Sequence, residues 1–504
     1  MITLHGCDER KSTWDRLNAI TSRLAAKDPT LWGEAARDEA AIRLGWVDLP
    51  DRSRDLLPIL DALSAWSREM GHTNVILCGM GGSSLAPEVI ASTYQKSLTV
   101  LDSTDPSQIE LAADVDLTKS CIIVGSKSGS TIETASQKSY FYQRLTDLGL
   151  DPKNHFVIVT DPHSPLDAKS REEGLKVVNA DPNVGGRFSA LSAYGLTPAA
   201  LIGVDVSVLL DDAHDAAATF TEVDSVVVRM AALLSEKSYA FTGFYDRGSH
   251  VPGIADWIEQ LIAESTGKDG KGVLPVVVEN PSSELYPVIG FTQEHTLAVL
   301  GPLGAQFIFW EWVTALLSYL LNVDPFNQPN VTESKDRTHA LLQSWSQESI
   351  VRDKPSLSTE FIEVFASSTL NSLAEYLRAL SAPEYIAIMA YVNRISDTAL
   401  GEIRAVIERK RNRPTTFGWG PRFLHSTGQF HKGGPATGGF IQITTESENA
   451  LPIPGKDFGF ETLLMAQALG DNQALSSRGL PVIRIHLKNR NAGIAELIKA
   501  VKEI

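Results

Sequence analysis

The sequence has 504 residues, 43% of them hydrophobic, enough to bury large cores and to divide into two or more domains. Its 45 Lys plus Arg against 61 Asp plus Glu give a formal net charge of -16, which argues against general binding to nucleic acid or anionic membranes. Cys7, Cys78 and Cys121 lie too far apart to suggest a disulfide framework or a zinc site, no apolar run is long enough to span a bilayer, and the start MITLHGCDERK lacks a basic-then-apolar signal, so a cytoplasmic protein is expected.

Apolar residues recur at helical spacing over 8–26 and 54–70, which predicts a helical lead-in over 1–44 and a helix before the first strand. Alternation then begins: strand Val75–Cys78, helix Ser84–Tyr94, strand Leu98–Leu101, helix Pro106–Ala113, strand Cys121–Val124, helix Thr131–Leu148 and strand His155–Val159. This pattern predicts a doubly wound parallel sheet, an α/β domain spanning 45–205. Helical patterns over 206–238 are expected to form a connector. A second α/β domain with insertions is predicted over 239–504. Its expected elements include helix Ile254–Ser265, strand Val273–Val278, strand Thr296–Leu300, the long apolar helix Gly304–Leu321 and helix Thr332–Trp345. Helix Ser358–Leu380, strand Tyr385–Ala390, helix Asn393–Lys410, strand Gly439–Thr444, helix Phe460–Leu469, strand Val482–His486 and helix Ala492–Ile504 follow.

The densest chemistry lies in CIIVGSKSGSTIET, Cys121 to Thr134. A strand buried on both faces ends at Gly125. Ser126, Ser128, Ser130 and Thr131 then supply hydroxyls, Lys127 a charge, and the following helix free N–H groups. That combination suits a phosphate. The lysine stands in mid-loop, so a Walker nucleotide site is not the first inference. Gly79-Met80-Gly81-Gly82-Ser83-Ser84 follows another strand and resembles a dinucleotide fingerprint, with Asp102 as a candidate ribose acid, but the later glycine is missing. Two phosphate-competent loops on neighbouring strands favour one shared small anion.

Other candidates are scattered. Arg187 follows paired glycines and could hold an oxyanion or enediolate, or cap a turn. Glu264 ends a predicted helix, where the dipole disfavours a carboxylate, which hints at another duty. Lys335 lies near a helix start, in what could equally be a solvated charge run. His425 and His431 share a glycine-rich loop and suit acid–base work, while the absence of an acidic or cysteine cluster disfavours metal.

Taken together, GMGGSSLAPEV, SKSGSTIET, GGRFSALSAYGL, ESTGKDGKG, FNQPNVTESK and LHSTGQ resemble the ordered motifs of the glucose-6-phosphate isomerase family. The likeness is greatest to the isomerase half of bifunctional transaldolase–phosphoglucose isomerase chains. It implies two sugar-isomerase domains and reversible interconversion of glucose 6-phosphate and fructose 6-phosphate, in glycolysis and gluconeogenesis, without metal or redox cofactor. By the resemblance, Ser126, Lys127, Ser128 and Thr131 hold the phosphate with help from Ser83. Glu264 is the base between C1 and C2, Arg187 the cation beside the enediolate, and His425 and Lys335 open the ring. Gly82, Gln328 and His431 are further substrate-binding candidates. The sequence departs from the family in placing HSTGQ after the lysine motif, and His431 stays open as the ring-opening group. Mannose 6-phosphate, a 6-sulfo sugar, or a non-catalytic sugar-phosphate-binding module remain alternatives. No nucleic-acid or membrane partner is expected, and a homo-oligomer is compatible with the sequence.

Overall fold

A computed structural model describes residues 1–345, 354–447 and 449–504. The chain opens with β1 (Thr3–His5) and then lays down β2 (Asn74–Gly79), β3 (Thr99–Leu101), β4 (Ser120–Gly125), β5 (Phe156–Thr160) and β6 (Lys176–Asn179). These last five form an all-parallel sheet in the order β3-β2-β4-β5-β6. Helices cover both faces, which is why the runs VILC and CIIV are buried without a break.

The remaining strands divide between two sheets. β7 (Phe241–Tyr245), β8 (Leu274–Val277), β9 (Val288–Gly290) and β10 (Ala298–Leu300) join β1 in the order β1-β10-β9-β7-β8. A third sheet contains β11 (Leu357–Ser358), β12 (Ile362–Phe365), β13 (Tyr385–Tyr391), β14 (Thr415–Trp419), β15 (Gly438–Thr445) and β16 (Val482–Leu487). Its order is β11-β12-β16-β15-β13-β14, and all neighbours pair in parallel except β12, which is antiparallel to both β11 and β16. The α/β class and the parallel-sheet cores stand as expected, but residues 239–504 carry two sheets instead of one.

Three expectations change for stated reasons. Helix Ser358–Leu380 is replaced by β11, β12 and a short helix, Leu373–Ala379, capped by Ser372. Ile362 and Val364 alternate inward, and their strand pairs with β16, so a period of two wins over the helical one. Helix Asn393–Lys410 begins only at Ile403, after a 3₁₀ turn, because Asn393–Asp397 folds into a turn whose Arg394 reaches the first sheet. The helices Val206–Ala217 and Val226–Leu234 do not merely connect. Their apolar residues pack with the buried helix Leu303–Leu321 in the core of the second sheet. The N-terminal lead-in joins that core too: β1 pairs with β10, and Trp32 Nε1 donates to the Ala315 carbonyl at 3.0 Å. All three cysteines are buried and free, and among the described residues no helix is long and apolar enough to cross a membrane.

Candidate active site

β2 and β4 are parallel neighbours with Gly79 opposite Gly125, so the two glycine-bearing loops leave the sheet side by side at its carboxyl edge. The arginine segment closes over them. A Cβ at Gly82 would fall 1.9 Å from the Gly186 carbonyl oxygen, so only glycine permits this backbone contact. Gly81, at φ +56°, likewise leaves the room that the Gln260 amide occupies. Between these segments lies a cleft of about 190 Å³ lined by Gly82, Ser83, Ser126, Lys127, Thr131, Arg187, Gln260, Glu264, Gln328 and His425.

The hydroxyl loop is largely self-organised. Gly129 N–H donates to Ser126 Oγ at 3.1 Å, and Ser126 Oγ lies 3.5 Å from Thr131 Oγ1. Ser128 and Ser130 pair with each other at 2.6 Å on the exposed side, outside the cleft. Lys127 reaches the cleft wall, yet its ammonium is held by Asp161 at 2.8 Å and by the carbonyls of Pro182 and Val184 at 3.0 and 2.9 Å. In this structure Lys127 therefore ties the hydroxyl loop to the arginine segment.

Glu264 sits in the last turn of helix Ile254–Thr266, and Gln260 lies one turn before it on the same face. Arg187 Nη2 donates to Glu264 Oε1 at 2.9 Å, with both side chains buried. The guanidinium also binds Gln328 Oε1 at 2.5 Å, the Asn327 carbonyl at 3.3 Å and the Pro325 carbonyl. Its Nε is buried without a partner. Lys268 bonds the Asp324 carbonyl from the other side, and burial, with the nearby Arg187, pushes its ammonium well below the usual lysine range. Arg187 and Lys268 thus pin the loop that delivers Gln328. Gln260 Nε2 donates to Glu264 Oε2 at 3.2 Å and to the His425 carbonyl at 2.7 Å, linking the carboxylate to the histidine turn.

His425 comes from the third sheet, at the end of the turn Arg422–His425 that follows β14. Its Nε2 lies 3.0 Å from Glu133 Oε1, which also accepts from Gln467 Nε2 at 2.7 Å. Burial would raise the Glu133 carboxyl, but the His425 imidazole and the Lys335 ammonium outweigh it and leave it below the usual range. Lys335, on helix Pro329–Trp345, does not line the Glu264 cleft. It lines an adjoining cavity with Glu133, and the two spaces share Thr131 and His425. His431 is elsewhere: it stacks on Tyr385, meets Phe440 edge-on, and burial lowers its pKa to about 3.

Glu264, Arg187 and His425 are therefore brought together with Ser83, Ser126, Thr131, Gly82 and Gln328, while Ser128 and His431 are not. Glu133, Gln260 and Gln467 join the site although no sequence motif singles them out. A glutamate in the first turn after the hydroxyl loop, and a glutamine four residues before Glu264, were the available signals. Asp102 is fully buried against Arg394 and Arg422, which leaves no free acid at the end of β3 for a ribose.

Residues 54–274 match the phosphoglucose isomerase family. Among curated relatives, the glucose-6-phosphate isomerase of Thermus thermophilus is 34% identical over 287 residues, covering 53% of this chain and 66% of that protein. The glucose-6-phosphate isomerase of Mycoplasmopsis pulmonis is 27% identical over 387 residues, covering 60% of this chain and 90% of the relative. The chain thus spans just under two thirds of the length of the first of these and, for the probable glucose-6-phosphate isomerase of Haloarcula marismortui, 48%. A crystal structure of a glucose-6-phosphate isomerase from Chlamydia trachomatis superimposes with a TM-score of 0.56 at 18% identity, over 69% of this chain and 89% of that one, a likeness of fold alone. The matched span, residues 54–274, carries the hydroxyl loop, Arg187 and Glu264, and over it the chain is similar to the phosphoglucose isomerase family.

Proposed function

We propose that this protein interconverts glucose 6-phosphate and fructose 6-phosphate through an enediolate. The observation that carries the reading is the meeting of a buried carboxylate, an arginine and a histidine–glutamate pair beside a hydroxyl loop. In this scheme Ser83, Ser126 and Thr131 hold the phosphate, remote from the reacting carbons. His425, backed by Glu133, moves the proton between ring oxygen and anomeric hydroxyl, with Lys335 on its far side. Glu264 takes the proton from C2 of the open aldose and returns it to C1, while the hydroxyl proton passes from O2 to O1 in the enediolate, so that the carbonyl moves from C1 to C2. Arg187, whose guanidinium lines the cleft beside Glu264, faces the oxyanion that forms between the two steps. The sugar-phosphate substrate class agrees with the names of the relatives. A coupled assay over glucose 6-phosphate, mannose 6-phosphate and sulfoquinovose tests the proposal. Turnover of the first with little of the others is expected; turnover only of the second or third would reassign the substrate, and none at all would remove the isomerase.

A further inference from the structure

His425 reaches the cleft from a different sheet than the hydroxyl loop, so something must hold the third sheet's turn in place against the first sheet. The turn is wedged on its apolar side. Phe423 packs edge-on against Tyr391, and a Cβ at Gly418 or Gly420 would fall 2.8 Å from Phe423 or 2.7 Å from the Tyr391 ring. On its polar side stands Arg422, three residues before the imidazole. Its Nη2 lies 2.8 Å from Glu88 Oε2 and its Nη1 3.2 Å from Asp102 Oδ2. Glu88 belongs to the helix Leu85–Thr93 that follows the first glycine loop, and Asp102 stands just beyond β3. Arg394 binds the other oxygens of the same two acids, at 2.8 and 3.1 Å, from a separate segment after β13.

We propose that Arg422 is a positioning residue for His425, fixing the imidazole relative to Glu133 by bridging Glu88 and Asp102 of the first-sheet layer. The inference rests on the isomerase reading only for its kinetic consequence. A planar guanidinium can bridge two carboxylates at once, whereas an ammonium is a point charge that cannot reproduce the fork. Displacement of a proton-transfer group by about 1 Å can cost of the order of 10²-fold in rate.

The test compares Arg422→Met and Arg422→Lys with Arg394→Lys in the full chain. Arg394 shares the same acids but lies far from His425 in the chain, so it controls for simple loss of the charge cluster. For glucose 6-phosphate, Arg422→Met is expected to lower kcat about 30-fold and Arg422→Lys about tenfold, with KM within about twofold. Arg394→Lys is expected to lower the melting temperature similarly while kcat stays within about twofold. Crystal structures of the variants should show the 3.0 Å His425–Glu133 contact broken in the Arg422 variants and kept in Arg394→Lys. Should Arg422→Met not fold, the Lys variants carry both measurements. Unchanged kcat and an intact contact in Arg422→Lys, or an equal kcat loss in Arg394→Lys, would overturn the proposal. A wild-type protein without isomerase turnover would sink the proposed function instead, and the crystallographic distance would still decide the positioning role.

Discussion

Two loops feed the same cleft and are built in opposite ways. The loop after β4 orders its own hydroxyls: its serines and threonine lie within six residues, and its backbone amides bond its own hydroxyls. The turn after β14 completes almost nothing alone. His425 depends on Glu133 from the first-sheet layer, on Gln260 from the helix that carries Glu264, and on Arg422's acids far earlier in the chain. Anion holding needs only several donors in a tight bend. Proton transfer needs one group held within hydrogen-bond reach of a particular partner, which short-range structure cannot guarantee.

The largest effect is expected from changing the group that both loops face. Glu264→Gln keeps shape and hydrogen bonding but not basicity, so turnover is expected to fall about 10²-fold or more with KM nearly unchanged. Steady-state kinetics on glucose 6-phosphate read both values; near-normal turnover would dismiss Glu264 as the base.

The two histidines sharpen the contrast within one loop. His425→Asn is expected to lose about 10²-fold in kcat, while His431→Leu keeps kcat within a few-fold and loses about 1 kcal/mol of stability, because the Tyr385 hydroxyl loses its partner at 3.2 Å. Activity that follows His431 instead would reverse the assignment.

If the loop after β4 holds the anion by itself, Ser126→Ala with Thr131→Ala should raise KM about tenfold and weaken competition by inorganic phosphate equally. His425→Asn should leave the phosphate inhibition constant unchanged. An inhibition constant that moves with His425 would mean that the two loops bind the anion jointly.

The smallest expected effect lies beneath the second loop. Burial pushes the Asp256 carboxyl, near Arg422, up to about 6 from 3.8. Below pH 3.8 both folded and unfolded chains hold the proton. As pH rises toward 6 only the unfolded chain releases it, so folding is penalised, and the penalty is complete above pH 6. Asp256→Asn should therefore leave the melting temperature unchanged near pH 3.5 and raise it near pH 7.5. The gain is at most about 3 kcal/mol, and less because the side chain is only partly buried. Equal stabilisation at both pH values would contradict the assignment.

What depends on neighbours along the chain is legible in the amino-acid order. Unbroken apolar runs such as CIIV and YIAIMA, short and flanked by turn residues, point to strands covered on both faces, which they are, and a run of hydroxyls between such a strand and a helix suits an anion. The ordered motifs likewise pointed to Glu264, Arg187 and His425 together. The division of residues 239–504 between two sheets arises only on folding, since β12 becomes a strand by pairing with β16. Folding alone decides that Lys127 is spent on Asp161, that Glu133 backs His425, and that His431, six residues further on, lies in an aromatic core. The reason is the same in each case. A charge or a hydrogen-bonding group takes its role from the partner that burial leaves it, and these partners lie on segments the chain visits tens to hundreds of residues away.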